Sequence, residues 1–284
     1  MNLSGEPVYV GRDFGGRDLV VDRATVDAYL DAVDEDPARY GDDAPALVLH
    51  SECYHDLSWY LANIIGNLHG RQEWEMFAPI RVGDAVRTRG FIRERYHKRG
   101  RNYVVKETWI LDGDGRLLNR GLTHQSFLAE EVAAGVDVVD KDREKQSGRR
   151  FDIADGDGPL LDPLSKHVSE RMCMAFSGPV ENYHTNREAA RQLGFPDIVV
   201  QGMLPICFVS ELLDRELGAG WRAGGKMDVR LVNVLWANET VRANARRTAT
   251  VPEADRTRAH YDVWVEKDDG TKVVVGQASG LLPQ

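Results

Sequence analysis

The stretch VGDAVRTRGFI, Val82 to Ile92, decides how this chain is read, because it returns as ANETVRANARR, Ala237 to Arg247, at an offset of 155 residues. Carried on without a gap, that offset lays Trp109 over Trp264, Asp114-Gly115 over Asp269-Gly270 and Gly121 over Gly276. In each copy two alternating apolar and polar runs flank an Asp-Gly pair, the pattern of two strands joined by a tight hairpin turn. The segments ahead of the strands also match, at an offset of 151: LVLHSECYHDLSWYL from Leu47 lies over IVVQGMLPICFVSELL from Ile198. Both read as long apolar helices. In the second, Met203, Ile206, Cys207, Phe208, Leu212 and Leu213 make the helix so apolar that it must be wrapped by other structure.

A buried helix followed by antiparallel strands, twice over, predicts an α+β fold in which each half is a curved sheet wrapped around a helix. The halves are read as residues 1–132 and 160–284. Between them, AAGVDVVDKDREKQSGRRFDIADGDGP, Ala133 to Pro159, is charged, Gly-rich and weakly periodic, and reads as a linker. Each half leaves a sheet edge to satisfy, so the two are expected to pair side by side as a pseudo-dimer made by duplication.

Composition narrows the function. With 284 residues, 42% apolar and 29% charged, the chain has the balance of a soluble globular protein. A net charge of −9 argues against a general nucleic-acid binder, whose affinity comes mostly from neutralising phosphates. No apolar run reaches the length of a membrane helix, so no membrane partner is expected. The N-terminus lacks the basic and apolar regions of a signal peptide. Cys53, Cys173 and Cys207 are an odd count without paired spacing, which fits reduced thiols in a cytoplasmic protein and neither a disulfide frame nor a zinc cage. RERYHKRGR, Arg93 to Arg101, is a basic run that reads either as a solvated hairpin tip or as a docking surface for a phosphate-bearing ligand such as coenzyme A.

The second half carries Ser177-Gly178-Pro179-Val180-Glu181-Asn182-Tyr183-His184, followed by Gln201-Gly202-Met203 at the start of its central helix. These residues resemble the signature of the MaoC-like, or (R)-specific enoyl-CoA hydratase, branch of the hot-dog fold: Ser-Gly-Asp-x-Asn-Pro-(Leu/Ile)-His, then His-Gly-Met. Together with the repeat they resemble its double hot-dog form, and VGRDF followed by VDRATVDAYLDAV is similar to the opening of that family's first copy. The resemblance implies hydration of a 2-enoyl thioester, or dehydration of the 3-hydroxyacyl thioester, carried on coenzyme A or an acyl-carrier protein. It implies no metal and no redox cofactor, and a possible homodimer. His184 matches the family's acid/base histidine. Gly202 matches the glycine whose N–H, at a helix start, holds charge on the thioester oxygen. The family aspartate is replaced by Pro179, which cannot accept a proton, and Glu181 is the nearest carboxylate available to replace it. Gln201 stands for the second histidine and keeps hydrogen-bonding capacity without titrating near neutrality. Gln201, Asn182 and Tyr183 are the expected substrate-binding residues, with turn and helix-cap roles as the competing reading of Asn182 and Asn186.

The first half lacks a histidine at the position of His184. Its segment holds His50, Glu52 and His55, expected to line a core or an acyl tunnel. His50 falls opposite Gln201 in the repeat, which leaves open a site moved into the first half. The damaged motif also leaves open a non-catalytic thioester-binding subunit, or changed chemistry such as a thioesterase or isomerase.

Overall fold

The computed structural model describes residues 8–55, 68–128, 139–140 and 158–283. In chain order these form β1 (Asp13–Val20), α1 (Arg23–Val33), β2 (Leu68–Met76), β3 (Ala85–Lys98), β4 (Arg101–Leu111), β5 (Leu117–Leu128) and a short β6 (Val139–Asp140). The second half follows with β7 (Leu164–His167), α2 (Glu170–Ser177), α3 (Arg187–Gln192), α4 (Met203–Leu217), α5 (Ala219–Arg222), β8 (Lys226–Leu231), β9 (Thr240–Glu253), β10 (Arg256–Lys267) and β11 (Lys272–Leu281). Most of the expected linker lies outside the described residues.

The strands make one sheet in the order β1-β3-β4-β5-β2-β8-β11-β10-β9-β7, with β6 beside β3. The order reads the same from either end once β1, β3, β4, β5 and β2 are matched to β7, β9, β10, β11 and β8. The register repeats with it. Trp109 lies opposite Arg89 and Arg120, and Trp264 opposite Asn244 and Val275. The bulges repeat too: Arg93 and Thr248 are skipped in the first hairpin of each half, and Leu118 and Val273 in the second. All these pairs keep the sequence offset of 155. The second turns are built alike. Gly115 N–H donates to Asp112 O at 3.0 Å and Gly270 N–H to Lys267 O at 2.9 Å, while Asp112 N–H donates to Arg116 O and Lys267 N–H to Thr271 O, each at 2.9 Å. Gly115 and Gly270 take the left-handed conformation at φ 79° and 83°, which a side chain would oppose.

The halves meet edge to edge, as the unsatisfied sheet edges predict. β2 pairs antiparallel with β8 from Arg71↔Arg230 to Glu75↔Lys226, and Arg71 makes a two-pronged bond to Asp228 at 2.6 and 2.7 Å across the joint. α4 is buried from Met203 through Asp214 against β9, β10 and β11. Each large apolar side chain taken from water there contributes about 1.5–3 kcal/mol, and Ile206, Phe208, Val209 and Leu213 are wholly buried. The same helix buries Glu211, paired at 2.9 Å with Lys166, whose ammonium also donates to Val33 O at 3.0 Å and to Asp34 O at the end of α1. This pair ties the second half's helix to the first half.

The first half departs from expectation at Leu47. Instead of an α-helix, the chain turns through residues 46–49 and makes one 3-10 turn, His50–Cys53; residues 56–67 lie outside those described. The cause lies in the carbonyls. Ala46 O accepts from Asn119 Nδ2 at 2.8 Å, Leu47 O from His50 Nδ1 at 3.1 Å and Glu52 O from Lys106 Nζ at 3.0 Å. Side chains thus serve acceptors that an α-helix would offer to its own amides.

Candidate functional site

The loop from Gly178 to Asn186 joins α2 to α3 and delivers the motif residues. Asn182 closes it as a turn: its Oδ1 accepts from His184 N–H at 2.7 Å, while Thr185 Oγ1 accepts from Asn182 N–H at 3.0 Å. Asn186 then caps α3 by accepting from Ala189 N–H at 2.9 Å. Both asparagines therefore do the turn and cap work that their residue type favours.

His184 is half-buried, and its Nδ1 lies 2.7 Å from Val199 O. A carbonyl only accepts, so Nδ1 carries the proton and Nε2 holds the lone pair. Burial pulls the ring's pKa to about 4, against the opposite pull of the Val199 bond, so the imidazole is neutral at pH 7. Nε2 has no hydrogen-bond partner among the described residues, and the Tyr183 ring packs on the imidazole at 3.9 Å between centroids.

Val199 leads through Gln201 to Gly202, the N-cap of α4. The N–H of Gly202 bonds no acceptor among the described residues, which leaves it with the positive end of the helix dipole. Gln201 is half-buried, with its side-chain amide likewise unpartnered among them. A Cβ on Gly202 would stand 2.4 Å from Leu231 Cδ2 and 3.5 Å from His69 Nδ1. The glycine thus has a packing reason as well as the expected one, and the two are compatible.

The structure does not support the expected convergence of Glu181 on His184. Glu181 is exposed, and its carboxylate accepts from Asn186 Nδ2 at 3.2 Å. His50 is buried, bonded to Leu47 O and stacked on Phe176 at 4.4 Å, and His55 is exposed. His50 is thus packed between the halves, and the exposed His55 departs from the expected core or tunnel lining. The Arg93–Arg101 run forms the β3–β4 hairpin, with Tyr96 and Tyr103 stacked at 4.6 Å below a turn through Arg99 and Gly100. Two surface concavities, one lined by Pro79, Asp84 and Asp112 and one by Leu19, Val86 and Leu111, hold none of the motif residues.

Two residues that the motif does not contain lie beside it. His69 enters through its approach to Gly202, and Tyr54 O–H bonds His69 Nδ1 at 2.9 Å. No local pattern marks either one. His69 sits at the start of β2, and only the β2–β8 joint carries it past Leu231 to α4.

Residues 8–119 match the family model described as FAS1-like, dehydratase domain region. Comparison of the sequence with curated proteins finds no match. Among solved structures, a MaoC-like dehydratase from Phytophthora capsici is 15% identical with a TM-score of 0.71, over 95% of this chain and 95% of that one. A Mycobacterium tuberculosis protein with a double hotdog fold is 13% identical with a TM-score of 0.63, over 96% of each chain. The peroxisomal multifunctional enzyme type 2 of Drosophila melanogaster is 17% identical with a TM-score of 0.68, over 94% of this chain but 48% of that longer one. Likeness at these identities establishes the shared fold.

Proposed function

From the premise that this is a MaoC-like protein of double hot-dog fold, we propose that it hydrates a 2-enoyl thioester, or dehydrates the corresponding 3-hydroxyacyl thioester, carried on coenzyme A or a carrier protein. One observation carries the reading. A neutral histidine, bonded through Nδ1 to Val199 O just ahead of the buried helix α4, has its Nε2 lone pair unpartnered among the described residues, and so is the N–H of Gly202 at the start of that helix. A base and an oxyanion donor are the two groups the reaction needs.

In the hydration direction His184 Nε2 takes a proton from water as the water oxygen bonds to C3. The C2=C3 electron pair moves toward the thioester, and the charge on its oxygen is held by Gly202 N–H at the α4 dipole. The imidazolium then returns the proton to C2. One water has been added, and the histidine is neutral again. Gln201, Asn182 and Tyr183 border this path, Tyr183 by packing on the base and Gln201 by offering its amide. Glu181 has no step, in keeping with its exposure and its bond to Asn186.

The test is the loss of enoyl absorbance from crotonyl-CoA and longer enoyl thioesters, with His184→Ala beside the unaltered chain. Loss of about two to four orders of magnitude in the variant supports the reading. Pro179 favours a second reading, a thioester-binding subunit without turnover, since no carboxylate occupies the family aspartate's place. Binding of acyl-CoA without any loss of enoyl signal would establish it, and release of free thiol would mark hydrolysis instead.

A further inference from the structure

A polar group from the first half reaches the start of α4, and its side-chain hydrogen bonds set its tautomer. Gln72 Nε2 donates to Glu73 O at 3.1 Å, so Gln72 Oε1 is turned toward His69. That oxygen lies 3.1 Å from His69 Nε2 and accepts from Thr123 Oγ1 at 2.9 Å. It can only accept, so His69 carries its proton on Nε2 and is an acceptor at Nδ1. Tyr54 O–H donates to Nδ1 at 2.9 Å. Burial keeps the His69 ring neutral by pulling its pKa to about 4, against the pull of Gln72. Gln72 and Thr123 are wholly buried, so the chain of bonds has a fixed backing.

The hydroxyl of Tyr54 has one proton, and His69 holds it. What remains on the oxygen is acceptor capacity. Burial holds the phenol's pKa well above its ordinary value, and Cys53, Cys207 and Tyr183 push it the same way. Tyr183 packs on His184, and Cys207 is one turn into α4. Tyr54 is thereby tied to the Gly202 end of α4, since the His69 Nδ1 that holds its hydroxyl would stand 3.5 Å from a Cβ on Gly202.

We propose that the Tyr54 hydroxyl, its rotor fixed by His69, accepts a hydrogen bond from the attacking water and aims that water at C3. It thereby supplies from the first half the water-holding part that Pro179 cannot play. The inference rests on the hydration reading given above. Tyr54 touches the reacting water and is a catalytic residue; His69 acts through it and is a positioning residue. No proton travels along this chain of bonds. The water's proton goes to His184 Nε2 and from there to C2, and Tyr54 and His69 end as they began.

The test compares kcat and KM on a turned-over enoyl-CoA for Tyr54→Phe, His69→Leu, His69→Asn and the Tyr54→Phe/His69→Leu pair. Misaimed water lowers kcat by about 10- to 100-fold in Tyr54→Phe, with KM within about twofold, because orientation is lost and substrate contacts are kept. His69→Leu matches that loss and adds nothing in the Tyr54→Phe background, since both changes remove one function. His69→Asn, which keeps an acceptor near the Nδ1 position, recovers most of kcat. Tyr54→Phe removes a single atom and decides the matter even where His69→Leu fails to fold. Full kcat in Tyr54→Phe, or losses that simply add, in a protein still disabled by His184→Ala, overturns the inference and leaves the hydration reading standing. A chain that hydrates no enoyl thioester overturns both.

Discussion

Substituting alanine for Gly202 separates clearance from conformation. Gly202 lies at φ −58° and ψ −23°, open to any residue, so alanine meets no backbone penalty. It meets Leu231 Cδ2 at 2.4 Å, where carbons ordinarily approach to about 3.5–4.0 Å, so the leucine must yield by more than about an ångström. Leu231 ends β8 and is half-buried, so a rotamer change can relieve the clash without moving backbone. The expected cost is therefore at the low end for overpacking, about 1–2 kcal/mol, or a melting temperature lowered by roughly 2–8 °C. Leu231→Ala alone removes partly buried apolar area at a similar cost of about 1–2 kcal/mol. In the double variant the clash is gone, so its loss of stability falls short of the sum by about 1 kcal/mol, measured by denaturant titration of all four proteins. Turnover does not return with stability, because the methyl still narrows the approach to the helix start; kcat/KM stays about tenfold or more below the parent. Additive stabilities would show that Leu231 is not what the glycine makes room for. Full activity in the folded double variant would show that the substrate does not need that clearance.

Three further outcomes follow from other parts of the chain. Lys166→Met leaves Glu211 Oε2 without its ammonium, with Arg215 still on Oε1, and strips a donor from Val33 O and Asp34 O, so denaturant titration should show a loss of about 1.5–3 kcal/mol; a loss under about 0.5 kcal/mol would mean that the buried pair contributes little. Because the pKa of His184 is depressed to about 4, its neutral, proton-accepting form persists below the ordinary value of 6.5 and is lost only as pH falls through about 4, so the acid limb of kcat/KM lies near there; a limb near 6.5 on a still-folded protein removes His184 as the base. Gly276→Ala should destabilise more than Gly121→Ala at the matching position, because its Cβ meets backbone, Asp228 O at 2.2 Å, whereas at Gly121 it meets the Trp74 ring at 2.8 Å and Cys53 Sγ at 3.1 Å; thermal melts in the reverse order contradict the reading.

The hairpins were legible because their information is local. Alternation of period two and an Asp-Gly turn specify a strand pair wherever they occur, and the offset carried even the unseen bulges at Arg93, Thr248, Leu118 and Val273 into step. From Leu47 to His55 the chain departs from the helix its apolar spacing suits, because the carbonyls of Ala46 and Glu52 are claimed by Asn119 and Lys106 from distant strands. His184 and Gly202 could be picked out as a spaced pair. Glu181 could not be placed from spacing alone: the turn set by Asn182 Oδ1 and His184 N–H leaves it exposed, bonded to Asn186. Tyr54 and His69 carry no signature of their own. Their relevance exists only once β2 lies against β8 and brings one half's strand to the other half's helix.

The repeat gives two equivalent positions ahead of the strands, and among the described residues only the second opens an α-helix. Ser51 corresponds to Gly202, and Glu52 to Met203, by the offset of 151. Glu52 is buried, with its carboxylate bonded by Arg17 Nε at 2.8 Å and Thr88 Oγ1 at 3.1 Å. His50, opposite Gln201, is spent on Leu47 O and on stacking against Phe176, a residue of the second half just ahead of the motif loop. In the first half the matching positions thus hold a paired carboxylate and a packed histidine, while His69, with Tyr54 bonded to it, lies beside the start of the second half's helix. Under the proposed hydration, that asymmetry leaves the motif in one copy while the strand register is kept in both: the register joins the halves, and the joint brings His69 to the second half's helix.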